Sequence, residues 1–393
     1  MNIKQLQELI KYRFRMRQVP LVLQMPITSR CNSRCKTCNV WKYHENIDMD
    51  PVALEKALND AFFSEVRSVG LNGGEFTLVP NFPDILDSVL ILPKIRDIYC
   101  ISNGLFPKRL FEYLEQSKEK CKRKGVHLHI CISVDGVGKV QENVRGVPNS
   151  FKKTQEVIET LYNQREKYCD SFSVGCTISI HNIDYIKETR AYLESFEDLA
   201  VEYHCAIPNK RIKTFDDAEY YVLKDDKKRL QVAEFFYEKY LYSKSIQQRY
   251  QNFSNFYFLT HKGQERINTC AYINRDVTID ENLNLMLCAT ASEVIGNLRE
   301  HPASELVRTK RYKTVQNEIS HYCNNCGHYS YHPLTLKGRY EYIKYEMQNR
   351  YVWSYYEIDR SNIKKNLLGH IRFFKFFFKE YLRQIYYIIW KLQ

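Results

Sequence analysis

The first two hundred residues alternate short apolar runs with longer amphipathic stretches. The apolar runs have the length and β-branched content of buried strands, and the stretches between them repeat apolar positions at helical spacing. Strands separated by helical crossovers favour a parallel sheet. Six such units predict an α/β fold, a partial (β/α)6 TIM-like barrel, with its chemistry at the carboxyl ends of the strands. The predicted strands are 21–27, 67–72, 97–102, 126–134, 172–180 and 200–207, and the predicted helices include 51–63, 106–124, 150–168 and 184–196.

The pattern changes beyond residue 255. An alternating run over 276–288, interrupted by Asp280, Glu281 and Asn282, predicts a β-hairpin, and a short helix follows at 302–309. The chain is therefore divided into four predicted segments. These are an N-terminal helix (1–19), the partial barrel (20–254), a small β-hairpin and helix domain (255–335) and a helical, basic, aromatic tail (336–393).

Composition narrows the class of protein. The chain has 393 residues, of which 44% are hydrophobic and 26% charged, values that exclude a mostly disordered or collagen-like protein. Its 13 cysteines are odd in number and too dilute for a disulfide scaffold. Residues 1–19 contain no apolar segment typical of a signal peptide, so we expect a cytoplasmic protein with reduced thiols.

Three of the cysteines form a tight group directly after the first predicted strand. Cys31, Cys35 and Cys38 are spaced C-x3-C-x2-C, so a short loop can turn three thiolates towards one point. Three thiolates would leave one iron of a four-iron cluster open to an exogenous ligand. In zinc proteins, an open position of this kind distinguishes catalytic sites from structural sites. The alternative is a zinc site with a distant fourth ligand.

This triplet resembles the signature of the radical S-adenosylmethionine (SAM) superfamily. The resemblance implies a 4Fe-4S cluster on Cys31, Cys35 and Cys38 that binds SAM and cleaves it reductively to a 5′-deoxyadenosyl radical, which abstracts a substrate hydrogen. It also implies an external electron donor such as flavodoxin or ferredoxin. Many members have an aromatic residue directly before the third cysteine, whereas this chain has Thr37.

The same resemblance assigns cofactor-binding roles to residues at other strand ends. Gly73, Gly74 and Glu75 are similar to the family motif that holds the SAM amino group, although an ordinary turn has the same composition. The remaining candidates are Asn103 in a turn lining the SAM pocket, Ser133 at the ribose or carboxylate, and Arg145 at the carboxylate. No catalytic base is identified; His181 and His204 could be acid–base groups but are more typical of satisfied polar residues.

A second set of four cysteines lies in the 255–335 segment. Cys270, Cys288, Cys323 and Cys326 resemble the ligands of a Twitch domain, the shortened form of the SPASM domain of many radical SAM enzymes. The resemblance implies a second, auxiliary 4Fe-4S cluster with every iron held by protein. Such a cluster suits electron transfer, and it would oxidise the substrate radical. A four-cysteine zinc ribbon is the alternative.

The substrate and the partners are the least determined features. The resemblance implies a small sugar-like alcohol or a peptide as the substrate. Residues 361–393 carry +6 of the net charge of +12, with basic residues at helical spacing among phenylalanines. This pattern predicts either peripheral contact with the inner face of the membrane or a helix packed on the barrel. Nucleic acid is disfavoured, because half of the excess charge lies in this one Phe-rich helix. A non-catalytic zinc-binding or membrane-surface interaction protein remains the alternative function.

Overall fold

The computed structural model describes residues 19–42, 45–216, 218–243, 245–273, 275–328, 332 and 334–348. The helices predicted near the N-terminus (3–17) and over 361–393 lie outside these residues. The chain forms two compact units, one of residues 18–232 and 271–328 and the other with its described residues within 233–270 and 329–348. The four predicted segment boundaries therefore stay predictions.

The first unit is built on one sheet. Its described strands run in the order β6-β5-β4-β3-β2-β1-β7-β8-β9, and the pairings from β6 to β7 are all parallel. The predicted parallel α/β architecture is therefore confirmed, and the sheet is open. The strands are β1 Val22–Pro26, β2 Ser68–Asn72, β3 Asp97–Ser102, β4 His127–Ser133, β5 Ser171–Ile178, β6 Ala200–Cys205, β7 Val277–Ile279, β8 Asn284–Met286 and β9 Val294–Asn297.

Helices cover one face of the sheet. Side chains such as Leu23, Ile98 and Ile130 are fully buried in a single core with helix residues such as Leu114 and Leu161. The helices of this unit are α1 Pro51–Leu58, α2 Phe82–Val89, α3 Pro107–Lys124, α4 Lys139–Arg145, α5 Ser150–Tyr168, α6 Ile186–Glu194, α9 Ala303–Leu306 and α10 Lys310–Cys323; α7 Asp226–Tyr242 runs from this unit into the other.

The opposite face of the sheet is polar. Because side chains alternate along a strand, the residues between the core positions point to this inner side. Gln24 accepts a hydrogen bond from the Asn72 amide at 3.0 Å, and Tyr99 stacks on His129 with ring centroids 4.9 Å apart. This alternation supplies an inner surface suited to polar ligands.

The predicted hairpin is present, but it continues the barrel sheet. β7 and β8 are antiparallel, and β7 also pairs in parallel with β1 through Leu23 and Gln24. The Asp276 carboxylate accepts the backbone N–H groups of Leu21 and Val22 at 3.2 and 3.1 Å and thereby fixes this junction.

The second unit contains an aromatic cluster on α7, α8 Ile246–Thr260 and α11 Leu336–Gln348. Tyr240, Phe253 and Tyr342 are nearly fully buried there, and the Phe253 and Tyr342 rings meet edge to face at 5.1 Å. In the part of the chain that the structure describes, no helix is long and apolar enough to cross a membrane.

Candidate functional site

The cysteine triplet lies on the loop that leaves the carboxyl end of β1. Cys31, Cys35 and Cys38 are each half-buried. The loop rests on the C-terminal end of α4, where the carbonyl of Arg145 accepts the Arg34 N–H at 2.8 Å and the carbonyl of Val144 accepts the Lys36 N–H at 2.9 Å. Carbonyl groups at a helix end have no partners within the helix. The helix end and the loop therefore satisfy each other's hydrogen bonds and fix the loop in place.

Each of the three sulfur atoms receives a hydrogen bond. The backbone N–H groups of Ser33 and Val40 donate to Sγ of Cys31 and Cys38 at 3.4 and 3.5 Å. The Arg145 guanidinium donates to Sγ of Cys35 at 3.7 Å. N–H donors of this kind stabilise negative charge on sulfur and influence the properties of iron–sulfur clusters.

In the free protein the thiols of Cys31 and Cys38 are protonated at neutral pH. Burial is the main cause that raises the pKa of Cys31 to about 12 and that of Cys38 to about 11. The neighbouring cysteines add to both shifts. A bound metal would displace these protons, because the thiolate is the ligand form.

The three cysteines of this loop fit the donor set of a polynuclear cluster. Cys35 and Cys38 contribute to the raised pKa of Cys31, and Cys35 contributes to that of Cys38, so the thiols lie near one another. A four-iron cluster would take one thiolate on each of three irons and would leave the fourth iron without a protein ligand.

The two glycines of the Gly73-Gly74-Glu75 motif allow a close approach to the cysteine loop. A Cβ atom on Gly74 would lie 1.8 Å from the carbonyl oxygen of Arg30, and one on Gly73 would lie 2.6 Å from that of Thr28. Backbone hydrogen bonds from Gly74 to Thr28 and from Glu75 to Arg30, at 2.8 and 2.7 Å, hold the segments together. The motif thus positions the loop that carries the cysteines.

Glu75 is buried among hydrogen-bond donors. Its Oε1 accepts bonds from the backbone and hydroxyl of Thr77 and from the Ser102 hydroxyl, at 3.2, 2.8 and 2.9 Å. Its Oε2 accepts the Asn103 N–H at 2.7 Å. Burial raises the pKa of Glu75 from its ordinary value, and these donors oppose the shift. The carboxylate therefore ties the end of β2 to the turn after β3.

Asn103 and Ser133 also lie at strand ends. The Asn103 amide donates to the Asn32 side chain at 2.8 Å and to Sγ of Cys31 at 3.9 Å, so it borders the triplet. Ser133 is half-buried on the inner side, and its hydroxyl has no hydrogen-bond partner among the described residues.

Arg145 forms a buried ion pair that the sequence did not indicate. Its Nε lies 2.8 Å from Oδ2 of Asp135, and the two side chains are 12% and 2% exposed. Oδ1 of Asp135 accepts the Thr177 N–H at 2.8 Å. Asp135 lies two residues after Ser133, at the carboxyl end of β4. This position was the feature of the sequence that could have identified Asp135 as a site residue.

Trp41 was missed as well. Its indole N–H donates to the carbonyl of Cys35 at 3.3 Å, and Arg34 and Lys42 each lie 5.4 Å from the ring. Thr37 occupies the position where the family has an aromatic residue. In this chain the aromatic ring that contacts the loop is that of Trp41, three residues after Cys38.

Three of the second set of cysteines belong to the first unit. Cys288, Cys323 and Cys326 are buried there. Burial raises the pKa of Tyr322, and all three thiols contribute to the rise. Cys270 is the last residue of its segment of the second unit, directly before the chain re-enters the first at Ala271.

A chain of hydrogen bonds crosses the inner side of the sheet. The His129 ring contacts the hydroxyls of Ser171 and Ser173 at 2.8 and 2.9 Å, and the Ser173 hydroxyl donates to Glu202 at 3.2 Å. The ring of His127 joins the same Ser171 hydroxyl at 2.7 Å. Desolvation first, and then His127, lowers the pKa of His129 to about 4, so His129 is neutral near pH 7.

The two histidines that were considered as acid–base groups, His181 and His204, lie in different surroundings. Nε2 of His204 lies 3.0 Å from the Thr177 hydroxyl, and desolvation is the main cause that lowers its pKa. Desolvation also lowers the pKa of His181. His204 lies on the same side of β6 as Glu202, so it is the one that extends the polar inner face.

Replacing His129 by Phe should flatten the pH dependence of stability. An unfolded histidine titrates near pH 6.5, whereas folded His129 titrates near pH 4. The unfolded state therefore binds the extra proton first, and the stabilisation by neutral His129 is complete above pH 6.5 and decreases as the pH falls towards 4. We expect the thermal midpoint to drop less between pH 7 and pH 5 in His129→Phe than in the wild type. A slope in His129→Phe equal to that of the wild type would contradict the assignment.

Comparison with known proteins places this site in a family context. Residues 25–193 match the family model of the radical SAM superfamily. GTP 3′,8-cyclase of Actinobacillus succinogenes is 26% identical over 165 residues, which are 37% of this chain and 47% of that protein. The chain thus spans about half the length of this curated relative.

Solved structures share the fold. The structure titled native anSMEcpe with bound AdoMet and Cp18Cys peptide aligns with a TM-score of 0.57 and 17% identity, covering 86% of this chain and 100% of that one. SuiB from Streptococcus suis bound to S-adenosylmethionine aligns with a TM-score of 0.52 and 15% identity, covering 80% of this chain and 71% of that one. At these identities the likeness is one of fold, and it agrees with the predicted partial barrel.

Proposed function

We propose, from the premise that the chain is a radical SAM superfamily protein over residues 25–193, that Cys31, Cys35 and Cys38 hold the SAM-binding 4Fe-4S cluster of a substrate-oxidising enzyme. When bound, such a cluster with one open iron supplies the electron that cleaves SAM to a 5′-deoxyadenosyl radical. The observation that supports this most is the triplet itself. Its three sulfurs belong to one loop, accept hydrogen bonds and influence one another electrostatically.

The residues around the triplet would bind and orient SAM. Ser133 offers a half-buried hydroxyl that has no partner among the described residues, which suits a ribose or carboxylate contact. The Arg145 guanidinium has five N–H donors. Asp135 and Cys35 use some of them, so the remaining N–H groups can bind the carboxylate of SAM. The Glu75 carboxylate would bind the SAM amino group. Asn103, Gly73 and Gly74 would hold the Glu75 carboxylate beside the cysteine loop.

The second cysteine set would hold the auxiliary 4Fe-4S cluster. We assign Cys270, Cys288, Cys323 and Cys326 as its ligands, with the burial of Cys288, Cys323 and Cys326 as support. With every iron held by protein, its role would be to accept the electron that a substrate radical gives up when the substrate is oxidised.

The substrate we propose is a peptide or a small sugar-like alcohol that presents polar groups to the inner face. His129, Ser173, Glu202 and His204 supply hydrogen-bonding groups there. Structures with this fold have been solved with a Cp18Cys peptide and with the precursor peptide SuiA. An external one-electron donor, flavodoxin or ferredoxin, would reduce the SAM-binding cluster.

Replacing Cys323 and Cys326 together by Ala should separate the two clusters. We expect iron to fall from about eight to about four per chain, because one four-iron cluster loses half of its ligands. Formation of 5′-deoxyadenosine from SAM and dithionite should persist, because the triplet is intact. Iron determination and chromatography of the nucleoside check both parts.

The control for this pair is Cys169→Ala, a buried cysteine outside both sets, which should keep about eight irons. Full iron in the Cys323→Ala/Cys326→Ala variant would refute the auxiliary assignment. Zinc in place of iron at that set would favour the structural alternative.

A further inference from the structure

A short loop after β6 contacts the surroundings of both cysteine sets. Residues 209–214, here the bridging loop, are closed by three hydrogen bonds between Asn209 and Thr214, at 3.0, 3.2 and 3.4 Å. The Tyr220 hydroxyl donates to Thr214 at 2.8 Å from the side. These bonds leave the bridging loop little freedom and fix the residues at its tip.

One side of the bridging loop meets the triplet and the other meets the segment after Cys288. The amide of Asn39, the residue after Cys38, donates to the carbonyl of Lys213 at 3.2 Å. The Lys210 N–H donates to the carbonyl of Thr290 at 2.8 Å. The bridging loop therefore contacts both the residue after Cys38 and the segment after Cys288.

Arg211 at this tip is paired with Glu281 of the hairpin turn. Their Nη2 and Oε2 atoms are 2.6 Å apart, and the side chains are 10% and 7% exposed. At that burial the two charges are poorly screened by solvent, so they act on their neighbours at short range.

The turn that carries Glu281 is fixed by the side chain before it. Oδ1 of Asp280 accepts the N–H groups of Asn282 and Asn284 at 3.0 and 2.9 Å, and Leu283 is in the left-handed region with φ 65°. The guanidinium and its counter-ion are thus both held in defined positions.

The bridging loop also connects Arg211 to the triplet. Lys213, two residues after Arg211, accepts the hydrogen bond from the amide of Asn39, which directly follows Cys38. The closed loop therefore holds the buried ion pair next to the segment that carries the third cysteine.

We propose that the buried Arg211–Glu281 pair sets the reduction potential of the cluster on Cys31, Cys35 and Cys38. Reduction adds one electron from the external donor to the cluster, and no bond forms or breaks in the protein. A fixed cation beside the triplet stabilises the added negative charge and raises the potential, whereas the paired carboxylate partly cancels that effect. The inference rests on the proposed function, because it requires the cluster to be present.

The test uses charge-neutralising variants of the two partners. Arg211→Gln should lower the reduced-to-oxidised ratio at a fixed potential about tenfold, which is ~59 mV for one electron. Glu281→Gln should raise this ratio, because the cation loses its counter-charge. The double variant should return close to the wild type. A purely structural role of the pair would move both single variants in the same direction.

The measurement is a potentiometric titration of the reconstituted full chain, followed by electron paramagnetic resonance. The relevant signal is the one lost in the Cys31→Ala/Cys35→Ala/Cys38→Ala variant. Arg211→Lys keeps the charge and should stay close to the wild type. Lys210→Gln, in an exposed pair with Glu293, is the matched control on the same loop and should leave the potential unchanged.

Opposite shifts in the two single variants support the inference. Equal shifts, or none, overturn it while the cluster assignment stands, because the signal itself is still observed. If the wild type has neither iron nor the signal, the proposed function fails, and the inference fails with it.

Discussion

Replacing Cys31, Cys35 and Cys38 together by Ala is expected to abolish the cleavage of SAM. The three thiols are the ligands that we assign to the open four-iron cluster, and the structure places them on one loop with a hydrogen bond to each sulfur. Without that cluster no electron reaches SAM, so 5′-deoxyadenosine formation with dithionite should fall at least about a thousandfold, to the uncatalysed level. Anaerobic assay with chromatography of the nucleoside measures this loss.

A matched control is available among the structural cysteines. Cys121 is fully buried on α3 and belongs to neither set, so Cys121→Ala removes a thiol with only a small loss of packing. This variant should retain SAM cleavage and about eight irons per chain. Cleavage at the wild-type rate by the triple variant would refute the assignment of the triplet.

Replacing Gly74 by Ala is expected to have the second large effect, on the fold around the site. The added Cβ would lie 1.8 Å from the Arg30 carbonyl oxygen and 2.6 Å from its carbon, and both atoms belong to the backbone. The hydrogen bonds from Gly74 to Thr28 and from Glu75 to Arg30 resist separation of the two segments. We expect the free energy of unfolding to fall by more than about 4 kcal/mol, or the loop to detach and lose its cluster.

Denaturant unfolding and iron per chain distinguish these two results. Gly125→Ala is the control, since Gly125 has a φ of 66° but, apart from its chain neighbours, no atom of the described residues lies within 4 Å of an added Cβ. It should lose only about 1 kcal/mol, the cost of the left-handed backbone. Similar losses in the two variants would mean that the close approach at Gly74 is unimportant.

Much of the barrel follows from the sequence because its strands are local apolar patterns. The run predicted at 97–102 coincides with β3 Asp97–Ser102, and the helix predicted at 150–168 coincides with α5 Ser150–Tyr168. The triplet is also predictable, since its spacing is local and it follows β1. In these cases the information lies within one element or one loop.

The rest depends on contacts between residues distant in sequence. The parallel pairing of β7 with β1 joins Leu23 to Val277, and no periodicity in either segment indicates it. The pairing of Arg145 with Asp135 and that of Arg211 with Glu281 arise only when the strand ends meet. The close approach of Gly73 and Gly74 to the backbone of Thr28 and Arg30 likewise joins two segments that are distant in sequence.

The measurement that tests the central claim most directly is iron and sulfide per chain in anaerobically reconstituted wild-type protein, followed by 5′-deoxyadenosine formation with SAM and dithionite. The proposed function predicts about eight irons per chain together with the nucleoside. About four irons with the nucleoside would keep the radical SAM chemistry and remove the auxiliary cluster. Protein without iron that forms no 5′-deoxyadenosine would contradict the account.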